Sequence, residues 1–285
     1  MNKINKNNID YIIKNGFESI SIEEIKFILN KLFYINKLDI LTNNYQEKID
    51  FDLLEKIINR KLKNEPIQYI FNQAFFRNYE FYVDNRVLIP RPETELLIDE
   101  VINIYNKNFS LSESINIVDI GSGSGAIAIS LALEIDKSKI YSVDISKDAL
   151  EVAQKNKDKY KVKNLEFIHG DKLKPFDNKD IKFDILVSNP PYIKYDDYIN
   201  LDKNVLDFEP KLALLNEDEE GLGFYKYFAE NARKYLKEKS FVIFEIAYHQ
   251  GNQVADILKK NRYKNVKIIK DYAKIDRMVS ASFNL

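Results

Sequence analysis

Apolar residues in the first quarter of the chain recur at helical spacing. Ile22, Ile25, Ile28, Leu29, Leu32 and Phe33 share one face of a helix that Ser21 and Glu24 open as a capping box. Leu53, Leu54, Ile57 and Ile58 share a face of a second helix, with Asp52 and Glu55 repeating the cap. A shorter helix is expected around Ile9, Ile12 and Ile13. Residues 1–72 therefore read as helices only, a small bundle. The period then changes. Phe75 to Val83 and Arg86 to Ile89, separated by Asp84-Asn85, predict a β-hairpin over 73–90 that links the bundle to the rest of the chain. Pro90-Arg91-Pro92-Glu93-Thr94-Glu95 is a rigid turn into a helix that carries Leu96, Leu97, Val101, Ile102 and Tyr105 inward.

From residue 115 onward, short apolar runs alternate with helical patterns. Such alternation predicts a mostly parallel sheet with helices on both faces, an α/β domain over 91–285. The strands are expected at Ile115–Ile120, Lys139–Val143, Leu165–His169, Phe183–Val187, Ser240–Ala247, Val266–Lys270 and Arg277–Phe283. The last two should pair antiparallel across Ala273-Lys274-Ile275-Asp276. Helices are expected near 146–159, 221–236 and 250–261.

Composition narrows the classes. With 285 residues, 45% of them hydrophobic and including 18 Phe and 18 Tyr, the chain can bury one large core and a small one. A net charge of −1 argues against a protein that grips nucleic acid through phosphates. The absence of cysteine excludes disulfides and thiolate metal sites, and no metal is expected. The first residues show no apolar leader, and no run approaches a membrane span, so a soluble cytoplasmic protein is expected.

The chemistry centres on Ser188-Asn189-Pro190-Pro191-Tyr192, at the end of the fourth strand. Two successive prolines can neither continue a ladder nor enter a helix interior, so the chain must leave the sheet abruptly at its carboxyl edge. Open α/β sheets bind ligands at that edge. Asn189 offers a side-chain carbonyl, Pro190 a backbone carbonyl in a fixed direction, and Tyr192 a flat ring. Two acceptors beside an aromatic face suit a planar –NH₂ group, either a carboxamide or the exocyclic amine of a nucleobase. Upstream, Gly121-Ser122-Gly123-Ser124-Gly125 lets the backbone pass close to a ligand before a helix N-terminus, and Asp144 ends the next strand where it can accept both hydroxyls of a ribose. Taken alone, these features suit a dinucleotide as well as S-adenosylmethionine. The fourth strand favours methyl transfer, because a methyl donor needs its acceptor nitrogen opposite the glycine loop. His169 is expected to be a solvated or hydrogen-bonded residue at a strand end.

With these residues placed, the chain resembles the HemK/PrmC family, the N5-glutamine methyltransferases of peptide chain release factors, over nearly its whole length. Pro66-Ile67-Gln68-Tyr69-Ile70, Leu88-Ile89-Pro90-Arg91-Pro92-Glu93-Thr94-Glu95, Asp119-Ile120-Gly121-Ser122-Gly123-Ser124-Gly125, Ser188-Asn189-Pro190-Pro191-Tyr192-Ile193, Phe208-Glu209-Pro210 and Ile275-Asp276-Arg277 look like the family's motifs. The resemblance implies a Rossmann-like class I methyltransferase domain with a seven-stranded sheet, preceded by helices that recognise the release factor. It implies S-adenosylmethionine as donor, with Gly121, Ser122, Gly123, Ser124, Gly125, Asp144, Asp171, Lys172 and Asn189 around it. Asn189, Pro190 and Tyr192 would act on the glutamine amide of a Gly-Gly-Gln motif, with Pro191 and Arg91 also contacting the substrate. Two departures are evident: Lys172 stands where the family often has an aromatic residue, and Ala247 where Gly is common. Asn-Pro-Pro-Tyr alone is shared with adenine-N6 methyltransferases of RNA and DNA, which the near-neutral charge disfavours. A non-catalytic binder and an NAD-dependent oxidoreductase are further readings that the intact donor and acceptor motifs disfavour. The expected partner is a release factor, with no direct nucleic-acid binding, no membrane association and a monomeric state.

Overall fold

Contacts within the chain separate two units, Met1–Phe71 and Asn72–Leu285. The computed structural model describes residues 4–110, 113–216 and 218–284, so the Met1-Asn2-Lys3 part of the stretch read as lacking a leader lies outside the described residues.

The first unit is helical: α1 (Ile9–Asn15), α2 (Ile22–Phe33), α3 (Lys37–Leu41), α4 (Phe51–Leu62) and α5 (Ile67–Ile70). The Ser21 capping box forms as expected: Ser21 Oγ accepts from the Glu24 N–H at 3.2 Å, and Glu24 Oε2 accepts from the Ser21 N–H at 3.0 Å. The cap of α4 is Asp50, not Asp52. Asp50 Oδ1 takes the N–H groups of Asp52 and Leu53, at 3.1 and 3.0 Å, so Asp52 lies inside the first turn as a capped group. Ile9, Ile12, Ile13, Ile25, Ile28, Leu29, Leu54, Ile57 and Ile58 close one core, whereas Leu53 turns to solvent.

The second unit is built on a seven-stranded sheet. Its elements are β1 (Ala74–Phe76), β2 (Tyr79–Phe81), α6 (Glu95–Asn108), β3 (Ile115–Ile120), α7 (Ala126–Glu134), β4 (Ser138–Asp144), α8 (Lys147–Tyr160), β5 (Leu165–His169) and β6 (Phe183–Ser188). After these come α9 (Tyr195–Tyr198), α10 (Lys203–Leu206), α11 (Lys211–Leu214), α12 (Gly223–Asn231), β7 (Leu236–Glu245), α13 (Gly251–Lys260), β8 (Lys264–Lys270) and β9 (Asp276–Asn284). The sheet order is β5-β4-β3-β6-β7-β9-β8. β3 to β7 run parallel, and β9 inserts antiparallel between β7 and β8. Every residue of β6 is buried, as expected of a central parallel strand covered on both faces.

Several boundaries differ from the sequence reading. The hairpin turns at Arg77-Asn78, not Asp84-Asn85: Phe76 pairs with Tyr79, and Ala74 with Phe81. Arg77 adopts a left-handed φ of 52°, and its N–H is taken by Glu95 at 2.7 Å, which secures the tighter turn. Asp84 instead closes a local turn, accepting from the Arg86 N–H at 3.1 Å. The hairpin also belongs to the larger unit rather than standing between the two. α6 buries Leu97, Ile98, Val101, Ile104 and Tyr105, so Ile98 and Ile104 replace Leu96 and Ile102 on its inner face. α12 is shorter than expected, because residues 232–235 tighten into a 3₁₀ turn and β7 begins at Leu236.

Asn156, fully buried on α8, ties the hairpin to the glycine loop. Its Oδ1 accepts from the Tyr82 N–H at 2.7 Å, and its Nδ2 lies 2.9 Å from Tyr82 O and 2.8 Å from Ser124 O. Asn156→Ala should strand buried backbone groups and cost about 2–4 kcal/mol. Urea unfolding with an unchanged m-value checks this; a loss below about 0.5 kcal/mol would show that water replaces the amide.

Candidate active site

The site forms where β3, β4 and β6 end together. Ile120 lies opposite Ser188 in the register, and the Ser188 hydroxyl donates to Ile120 O at 2.6 Å. The glycine loop therefore leaves β3 at the level where Asn189 leaves β6. The loop is pinned to β4: the N–H groups of Gly121 and Ser122 both reach Val143 O, at 2.8 and 3.2 Å. Gly121, Gly123 and Gly125 have φ of 89°, 52° and 82°, a backbone that side chains disfavour. A Cβ on Gly123 would meet nothing within 4 Å, so this part of the loop offers bare backbone to the cavity. Gly125 differs: a Cβ there would stand 2.9 Å from Ile129 Cδ1 and 3.2 Å from the Phe167 ring. It opens α7 and packs against β5; it does not line the cavity, contrary to the expectation for that residue.

Asp144 faces the loop from β4. Oδ2 accepts from the Gly123 N–H and Oδ1 from the Ser146 N–H, each at 2.9 Å, and with the Ile145 N–H also bearing on it the carboxylate still keeps acceptor capacity. Burial raises its pKa, against the backbone N–H groups that favour the charge. Beneath the loop, Asp119 is buried and accepts from the Ser142 hydroxyl at 2.7 Å. Ser142 has spent its proton there, so Ser122, 2.7 Å away, donates to Ser142. Burial pushes Asp119 up to about 7. Asp119 carried no assigned role in the sequence reading. An acidic residue inside an otherwise apolar strand was the signal.

A cavity of about 690 Å³ lies over these strand ends. Ligand sites typically span about 300–1,000 Å³. Gly121, Ser122, Gly123, Ser124, Asp144, Asn189, Pro190, Pro191 and Arg91 all line it, with Gly121 next to Asn189. Asp171 and Lys172 line it too, their side chains paired at 2.9 Å. Lys172 Nζ stands over the rings of Phe224 and Tyr227, 4.9 and 5.1 Å from their centroids. Those rings, three residues apart on α12, supply the aromatic surface that position 172 lacks, and the Phe-x-x-Tyr spacing was a readable signal for them. His169 sits outside the cavity, with Nε2 3.1 Å from Ile145 O, as expected of a strand-end residue.

On the acceptor side, Asn189 Oδ1 and the Pro190 carbonyl take no hydrogen bond among the described residues. Tyr192, expected at the substrate, does not line the cavity. Its hydroxyl turns inward to Glu245 Oε1 at 3.4 Å, and burial first, then the charge of Glu245, raises its pKa. Arg91 pairs with buried Glu209, which also takes the Ile89 N–H at 3.2 Å and so fastens the Pro-rich turn to the segment before α11. Thr94 and Glu245, unassigned in the sequence reading, are both buried beside Asn189.

Fold and site together define a methyltransferase. A family model described as a methyltransferase domain matches residues 111–281. Among solved structures, the human methyltransferase 10 domain containing protein is similar in fold, with a TM-score of 0.53 and 12% identity over 72% of this chain and 87% of that one. The release factor glutamine methyltransferase of Fusobacterium nucleatum is 35% identical over 96% of this chain and 76% of its own. That of Lactococcus lactis is 42% identical over 90% of this chain and 93% of its own. The chain belongs to the release factor glutamine methyltransferase family.

Proposed function

We propose that the protein transfers a methyl group from S-adenosylmethionine to the side-chain amide nitrogen of a glutamine in a peptide chain release factor. The observation that carries this reading is the pair of unpartnered acceptors, Asn189 Oδ1 and Pro190 O, on the same cavity as the glycine loop. The residues present fit the donor. Gly121–Gly123 leave backbone room for its methionine end, Asp144 keeps lone pairs for its ribose hydroxyls, and Phe224 and Tyr227 offer an apolar wall beside Asp171 and Lys172 for its adenine. When bound, it supplies a methyl group on a sulfonium that takes the bonding pair as the S–C bond breaks.

The chain's own part is to prepare the nucleophile. An amide nitrogen is a poor nucleophile because its lone pair is shared with the carbonyl. Asn189 Oδ1 and Pro190 O accept its two hydrogens, which aims the nitrogen at the donor and favours the positive charge that grows as the N–C bond forms. The methylated nitrogen is strongly acidic, so its proton leaves late and no strong base is needed. Pro190 and Pro191 fix the carbonyl direction, and Tyr192, anchored on Glu245, holds the loop from behind. Arg91, locked by Glu209, lines the substrate side. No helix among the described residues is long and apolar enough to cross a membrane, which supports a reading as a cytoplasmic enzyme. The proposed protein is a monomer that holds no nucleic acid directly and recognises its substrate partly through residues 1–72.

Asp144→Ala removes a charged acceptor worth about 1.5–3 kcal/mol per hydrogen bond, so affinity for S-adenosylmethionine should fall at least tenfold. Calorimetric titration checks this, and unchanged affinity would remove Asp144 from the donor site.

Asn189→Ala should keep donor affinity and lower the methylation rate by about 10²–10³. Asn189→Asp retains an acceptor and should keep part of the rate. Initial rates on a release factor at saturating donor decide, and a wild-type rate in Asn189→Ala would defeat the mechanism.

A chain beginning at Asn72 should still bind the donor yet methylate the intact factor poorly. Methylation at the full-length rate would refute recognition by the helical unit.

A further inference from the structure

Glu245 is the last residue of β7, and its carboxylate is buried without an ion-pair partner among the described residues. Its Oε2 accepts from the Thr94 hydroxyl at 2.6 Å. Thr94 Oγ1 in turn lies 3.2 Å from Asn189 Nδ2. A hydroxyl carries one proton, and an ionised carboxylate can only accept. The Thr94 proton therefore points at Glu245, and the Thr94 lone pairs are left to accept. Of the two ends of the Asn189 amide only the –NH₂ can donate to them. Its Oδ1 is thereby turned into the cavity.

We propose that Glu245, acting through Thr94, is the positioning residue that holds the Asn189 amide with its oxygen toward the substrate. The inference rests on the reading that Asn189 Oδ1 accepts a substrate amide hydrogen.

The direction of the chain depends on the charge of Glu245. A protonated Glu245 can donate to Thr94, whose own proton then turns to Asn189. Asn189 would answer with Oδ1, leaving its –NH₂ facing the two N–H donors of the substrate, and productive binding is lost. The groups that set this charge come from each neighbouring segment. Glu93 precedes Thr94, Tyr192 comes just after the prolines, and Arg277 lies on β9 with its own partner Asp271 at 2.9 Å. Tyr225 on α12 donates to Glu245 O at 2.7 Å. Burial first, and Glu93 after it, raise the Glu245 pKa; the Thr94 and Tyr192 hydroxyls and Arg277 lower it, and the balance pushes it up to about 7. A buried acid without a cation costs stability that an apolar residue would not, as expected when the charge serves the site.

The test measures kcat and KM for a release factor, and affinity for S-adenosylmethionine, from about pH 6 to about pH 9. The wild-type kcat should fall as pH drops through about 7, because Glu245 takes up its proton there. Glu245→Gln should abolish that limb. Thr94→Val, which cuts the chain while leaving the carboxylate, should lower kcat by about 10–10² and abolish the limb too, with donor affinity unchanged. Thr94→Ser restores the hydroxyl and should restore both. If Glu245→Gln does not fold, the Thr94 pair decides alone. A limb that survives in Thr94→Val, or a kcat loss matched by equal loss of donor affinity, would overturn the inference. Asn189→Ala assayed alongside separates the two claims. Slow Asn189→Ala with wild-type rates in Thr94→Val leaves the acceptor role standing and overturns the relay, whereas a wild-type rate in Asn189→Ala removes the acceptor role itself.

Discussion

Everything at the site depends on the in-register ends of β3 and β6. Ile120 and Ser188 sit side by side, and the Ser188 hydroxyl reaches across to Ile120 O at 2.6 Å. A strand pairing is specified by burial on both faces, and here all of β6 and nearly all of β3 are buried. The glycine loop and the Asn-Pro-Pro-Tyr segment are therefore held next to each other by the packing of a sheet that neither of them belongs to. β4 adds Asp144 at the same level, since Val143 pairs with Ile120. Three strand ends thus converge because three parallel strands share one core.

The buried acids show how charge is distributed over that core. Asp184, at the amino end of β6, is a structural acid: it takes the Asn116 N–H and the Lys237 ammonium, each at 2.7 Å. Asp119, Asp144 and Glu245 lie toward the carboxyl ends, and for these burial dominates and raises the pKa. Their partners are hydroxyls and backbone N–H groups rather than cations. Polar donors of that kind fix direction without cancelling charge, and direction is what a site needs. Glu209 is the intermediate case: its partner Arg91 is itself part of the cavity wall, so the ion pair shapes that wall.

Gly123 and Gly125 illustrate a separate constraint. Both glycines have positive φ, yet one has open space where a side chain would stand and the other is packed on Ile129, Phe167 and Ala153. The motif spacing makes them look equivalent. Open space beside Gly123 leaves its backbone bare to the cavity, whereas the neighbours of Gly125, drawn from α7, β5 and α8, make it a joint between loop and core.

What the sequence determined by itself is what local chemistry and period determine. The capping box at Ser21, the strand limits of Ile115–Ile120 and Leu165–His169, and the break at Pro190-Pro191 all arise from residues within a few positions of one another. The candidate site was legible for the same reason, since glycine loop, Asp144 and Asn-Pro-Pro-Tyr each end a strand whose period is unmistakable. Only the tertiary structure decided the rest. The turn at Arg77-Asn78 depends on Glu95, which is distant in sequence, and the aromatic wall at Lys172 comes from α12. Thr94 and Glu245 are 151 residues apart, so no pattern along the chain reveals that one hydroxyl joins them. Hydrogen bonds between remote segments leave no periodic trace in sequence, because their geometry is set by where the core places each backbone.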